Sequence, residues 1–134
     1  MTTLVEIEGI GPVNAAKLNK AGVRGTNGLL KMGGTKKGRL EISKATGISA
    51  KALLDWVNRA DLFRVKGIGT QYSDLLEAAG VDTVVELAKR KPEALLEAMV
   101  KANSKKNLVN QMPALSVVKA WVTNAKSLKR AVEY

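Results

Sequence analysis

Two stretches of this chain repeat each other at a fixed distance of 58 residues. Ile7-Glu8-Gly9-Ile10-Gly11 continues into Ala15, Leu18 and Ala21-Gly22-Val23. Val65-Lys66-Gly67-Ile68-Gly69 continues into Ser73, Leu76 and Ala79-Gly80-Val81. A second echo, Trp56-Val57 with Ala60 against Trp121-Val122 with Ala125, stands 65 residues apart. Chance can produce one Gly-Ile-Gly, but a second copy followed by the same spacing points to a tandem duplication. The difference of seven between the two offsets predicts an insertion in the second copy. The chain therefore divides into residues 1–62 and 63–134, expected to pack as one compact unit. Its 134 residues suit one ordinary domain or two very small ones.

Helical signals run through both copies. Thr2 or Thr3 can cap a short helix carrying Leu4, Val5 and Ile7. Gly9 and Gly11 break it, and Pro12 suits the first turn of the next helix, where its missing N–H would be unpaired anyway. That helix stops at Gly22. A helix around 26–32 follows, then a loop opened by Gly33-Gly34, then a helix capped by Thr35 and ended by Gly47. Ser49 caps a helix whose Leu53, Leu54, Trp56, Val57 and Ala60 are neighbours at helical spacing. The second copy repeats the order. Phe63 and Val65 fall on its first helix, Leu75, Leu76 and Ala79 on its second, and Val84, Leu87 and Ala88 on a short third. Pro92 starts a helix to about Ala102, residues 103–112 read as a linker, and Pro113 starts the last helix. No segment alternates as a strand does. The predicted fold class is all-α.

Composition narrows the function. There is no cysteine and no histidine, which removes thiolate metal sites, disulfides, the commonest general base and the commonest metal ligand. The expectation is a non-enzymatic protein with no catalytic residues, metal site or cofactor. No apolar run reaches the roughly 18 residues of a membrane span. The start of the chain lacks the basic and apolar regions of a secretory signal, so the protein is expected in the cytoplasm. Net charge is +10, and such a balance favours polyanionic partners. The charge lies in blocks: −2 over 1–16, +8 over 17–51, −2 over 52–100 and +6 over 101–134.

A short apolar helix, Gly-Ile-Gly, a small residue four positions on and Leu seven positions on make a pattern that resembles the helix-hairpin-helix motif, over about 20 residues of each copy. The wider chain resembles a bacterial family of tandem helix-hairpin-helix proteins catalogued as a domain of unknown function. Trp56-Val57-Asn58, Asp61-Leu62, Gly67-Ile68-Gly69 and Leu75-Leu76-Glu77-Ala78-Ala79-Gly80-Val81-Asp82 carry that likeness. The resemblance implies two pseudo-symmetric repeats with accessory helices, in an architecture similar to the sterile alpha motif. Ile10 and Ile68 would plug the gap between paired helices, and Ala15 and Ser73 would let them cross closely. It also implies binding of DNA without sequence preference. Unpaired amides of the hairpin, at the positive end of the next helix, would hold a phosphate, and two such hairpins could straddle a minor groove.

The residues expected at nucleic acid are Gly67, Ile68, Gly69, Thr70, Gln71, Arg64 and Lys66 at the second hairpin, Gly9, Ile10 and Gly11 at the first, and Lys36, Lys37 and Arg39 on a basic arm. The second hairpin is the better equipped. Arg64 and Lys66 precede it, whereas Glu6, Glu8 and Pro12 flank the first. DNA binders of this type often carry a base two positions after the second glycine, where this chain has Val13 and Gln71. Trp56 and Trp121 read as core. The segment 31–39 lacks the spacing of a nucleotide-binding phosphate loop. Nucleic acid is the expected partner, DNA ahead of RNA, with a nucleoid association following from that. The alternative is a helical protein–protein adaptor or assembly subunit using the same surfaces.

Overall fold

A computed structural model describes residues 4–7 and 9–133; Thr2, Thr3, Glu8 and Tyr134 lie outside the described residues. Among the described residues all regular structure is helical. A 3₁₀ turn at Leu4–Glu6 is followed by α1 (Gly11–Lys20), α2 (Gly25–Gly33), α3 (Lys36–Thr46), α4 (Ala50–Leu62), α5 (Thr70–Ala78), α6 (Val84–Ala88), α7 (Pro92–Lys106) and α8 (Leu115–Ser127). The chain divides into two compact units. One is Met1–Asp61 with Ala131–Tyr134, and the other is Leu62–Arg130. The residues after α8 thus belong to the first unit.

The duplication is visible hydrogen bond by hydrogen bond. Ile7 N and Ile10 N donate to Leu4 O and Ile7 O; at an offset of 58, Val65 N and Ile68 N donate to Leu62 O and Val65 O. Val23 N closes α1 on Leu18 O at 2.9 Å, and Val81 N closes α5 on Leu76 O at 2.8 Å. Helices α4 and α8 each hold 13 residues and start 65 positions apart. The insertion of seven lies before α8. Helix α7 has 15 residues where α3 has 11, and the segment that follows it is longer.

The ends of the helices follow side-chain chemistry. Thr35 Oγ1 accepts from Gly38 N at 3.0 Å, Ser49 Oγ from Ala52 N at 3.1 Å, and Thr83 Oγ1 from Glu86 N at 3.3 Å. Four expectations need correction. Leu4–Glu6 makes only a 3₁₀ turn. Phe63 and Val65 are not on a separate helix, because α4 runs to Leu62 and the chain then turns. Helix α7 extends four residues past Ala102 and stops where Asn107 adopts φ +48°, a conformation asparagine tolerates. Helix α8 begins at Leu115 rather than Pro113. The segment between α7 and α8 is a packed part of the fold: Val109 is buried, and its N and O are both bonded by the Asn103 side chain.

Each unit has its own aliphatic core. In the second, Leu62, Val65, Ile68, Leu75, Leu76, Leu87, Leu95, Met99, Val118 and Trp121 form one cluster. In the first, Leu4, Ile7, Ile10, Leu18, Leu29, Leu53 and Trp56 are buried. Both tryptophans are buried, and each stands under the first glycine of a Gly-Ile-Gly turn. A Cβ at Gly67 would lie 3.2 Å from Trp121 Nε1, and one at Gly9 would lie 3.5 Å from Trp56 Nε1. Both glycines hold φ above +90°. The second glycines differ: Gly11 has φ +66°, but Gly69 is extended at φ −113° and caps α5.

The first unit closes on a buried arginine. Arg39 is 4% exposed. Its Nη1 donates to Gly33 O at 2.9 Å and Gly34 O at 3.2 Å, and its Nη2 donates to Glu133 O. Glu133 N returns a bond to Gly34 O at 2.7 Å. Gly34 has no room for a side chain, since a Cβ would stand 2.5 Å from Ala131 O.

Two stability measurements follow. Gly67→Ala should cost about 1–2 kcal/mol, because it forces a side chain into a left-handed backbone against an indole. Gly69→Ser should be neutral or stabilising by a few tenths of a kcal/mol, because serine caps helices well and the site is open. Urea unfolding of the two variants separates them. Arg39→Met should destabilise the first unit by on the order of 3 kcal/mol, since it orphans carbonyls that the guanidinium now satisfies; a thermal melt within a degree of the parent would refute this.

Candidate nucleic-acid interface

The second Gly-Ile-Gly turn is built from α4, α5 and α8. Ile68 is buried and fixes the turn to the core, while Lys66, Gly67 and Gly69 are exposed. Two hydrogen bonds bring the end of α8 to the turn. Lys66 N donates to Asn124 Oδ1 at 3.2 Å, and Arg64 Nη2 donates to Lys129 O at 2.7 Å. Arg64, Lys66 and Lys129 are thereby gathered at one turn, though Lys129 is 65 residues from Arg64.

Helix α5 opens directly from this turn. Gly69 supplies no side-chain cap, and the first turn of α5 holds no acid. Gln71 is exposed and Thr70 half-buried. First-turn amides have no acceptor within a helix, and the dipole gives this end a partial positive charge. One amide expected to face a ligand does not: the Lys66 N–H is occupied by Asn124. Tyr72 is also engaged. Its ring centroid lies 5.2 Å from that of Trp121 at 57°, and its hydroxyl donates to Gln111 O at 3.3 Å.

The first turn has a different surface. Ile10 is buried and Gly9 exposed. Around them stand exposed Val5, Glu6, Pro12 and Val13, the last 68% exposed. Its neighbours are apolar and acidic where those of the second turn are basic. Gly11 is half-buried at the start of α1.

The basic arm separates into two kinds of residue. Lys36 and Lys37 are exposed on the first turn of α3, where no acid offsets them. Cations at this end of a helix are the wrong sign for helix stability and the right sign for an external anion. Arg39, grouped with them from sequence, is instead turned into the first unit and held by main-chain carbonyls. The physical reason is the cluster of glycines before it. Gly33 and Gly34 bring bare carbonyls within reach of a guanidinium, whose five donors can satisfy several at once.

Asn124 and Lys129 were not singled out from sequence. The repeat offset held the signal for the first, because Asn124 lies one helical turn beyond Trp121 and so on the same face of α8. Nothing local marks Lys129. Both units are basic: 62–130 carries twelve bases and six acids, and the remainder carries ten bases and six acids. Among the described residues no helix is long and apolar enough to cross a membrane.

Comparison with curated proteins and with solved structures gives no match. A comparison with protein families does. The sequence pattern of one family covers residues 8–128, and so spans both Gly-Ile-Gly turns, both tryptophans and Asn124. The chain belongs to that family, described as a domain of unknown function (DUF4332).

Proposed function

We propose that this protein is a non-enzymatic nucleic-acid-binding module that contacts phosphates, duplex DNA ahead of RNA, through the second of two helix-hairpin-helix units. The observation that carries this reading is the gathering of Arg64, Lys66 and Lys129 at an exposed glycine turn that opens directly into α5. Lysine and arginine beside exposed main chain at a helix start suit a phosphate, which carries charge and acceptors but no sequence information. Gly69 keeps the approach open, since nothing lies within 4 Å of a Cβ built there. Lys36 and Lys37 would add charge at a second phosphate. The first turn, bordered by Glu6, Pro12 and Val13, suits a phosphate poorly. Residues Gly9, Ile10 and Gly11 then serve chiefly to pack the first unit, and binding inside the cell would be at the nucleoid.

A second reading, a protein-interaction adaptor, has one observation in its favour. A groove of about 930 Å³ on α7 and the start of α8 is lined by Leu96, Val100 and Leu115. Val100 and nearby Val117 are exposed. Apolar surface of this kind suits a protein more than a phosphate chain.

The two readings separate in a salt titration. Phosphate binding requires that log affinity for duplex DNA fall with log salt at about −0.9 per neutralised phosphate. Lys66→Ala should lower affinity equally across unrelated sequences and flatten that slope by about one phosphate. Gly69→Leu should weaken binding by obstruction while leaving the melting temperature near the parent's, because its backbone is already extended. If both variants bind DNA as the parent does, the second turn is not the contact and the adaptor reading takes its place.

A further inference from the structure

Residues 131–133 pack on the first unit through few groups. Val132 is 3% exposed, Glu133 N donates to Gly34 O, and Glu133 O accepts from Arg39 Nη2. The polar contacts named here involve main chain of the strap, and its buried side chain is a single valine. The contact lies at the foot of the basic arm, since Gly34 stands two residues before Lys36. Arg39 and Lys36 are three residues apart on α3, so they share a face of that helix. Docked, the strap covers the guanidinium and adds an acidic residue, Glu133, to this surface.

We infer that residues 131–133 are an autoinhibitory strap: docked, they hold Arg39 away from ligand, and undocked, they add it to Lys36 and Lys37 as a third phosphate contact. This rests on the phosphate-binding reading above. Arg39 need not leave the carbonyls of Gly33 and Gly34, because loss of Glu133 O uncovers Nη2 while Nη1 keeps its bonds. A ligand that binds the undocked state more tightly must shift the equilibrium toward it, and the effect is reciprocal.

The test uses the full chain and a duplex DNA of unrelated sequence. Val132→Ser changes no charge and removes the apolar anchor. It should raise affinity and steepen the salt slope by about 0.9, one added phosphate. Glu133→Gln keeps the main-chain bonds and should leave the slope unchanged. A Val132→Ser protein that is folded by circular dichroism yet has the parent's slope overturns the strap. So does a Glu133→Gln slope as steep as that of Val132→Ser, because charge alone would then explain the gain. If Val132→Ser does not fold, the unaltered protein decides. Saturating DNA should speed hydrogen exchange at the Glu133 amide several-fold, and equal or slower exchange overturns the strap. Absence of salt-dependent DNA binding by the parent would remove the phosphate reading and the strap with it. Parent binding without strap release would remove the strap alone.

Discussion

Each half of this protein is organised by an indole set against a glycine. Trp56 meets Gly9 and Trp121 meets Gly67, at distances that leave little or no slack for a methyl group. The glycine must also hold a positive φ, so steric and conformational demands fall on one residue. Once that contact is made, Ile10 or Ile68 is carried into the core and the flanking residues are carried out. The exposed turn, the start of the following helix and the position of the closing helix all follow from it. In the second unit the same closing helix supplies Asn124 to the turn, one helical turn past its tryptophan, and leads on to Lys129.

The copies have kept this core and diverged at the surface. Positions preceding the first glycine are Glu6 and Glu8 in one copy and Arg64 and Lys66 in the other. The second glycine is left-handed in one and extended in the other. A buried residue is constrained by close packing on all sides, whereas an exposed one is not. Duplication therefore left the aliphatic positions matched and the charges free to change sign. That divergence is why the two turns are read as having different roles here.

The Arg39 contacts show a different use of charge. A cation beside two lysines looks like part of a binding arm when only its neighbours in sequence are considered. Its place in the fold is set by three main-chain carbonyls, one of them nearly a hundred residues away. Burying a charged group is tolerable only when its donors are met, and the glycine pair before α3 makes those acceptors accessible. The same bonds tie residues 131–133 into the first unit, which no local signal around them marks.

The helices, the duplication and the buried tryptophans were legible in the sequence, because each rests on local chemistry. A 3.6-residue spacing, a threonine before a helix and a glycine after it act over a few residues, and they placed α3 with its Thr35 cap and Gly47 stop. The exposed second turn with Lys66, Gly67 and Gly69 was legible for the same reason. The extension of α4 to Leu62, the packed segment around Val109, the inward turn of Arg39 and the arrival of Lys129 beside Arg64 were decided only by tertiary structure. Each depends on a hydrogen bond or burial whose partner is not fixed by spacing along the chain. Sequence by itself determined which residues could be helical, apolar or charged; the fold decided which charges face solvent and which are held by the main chain.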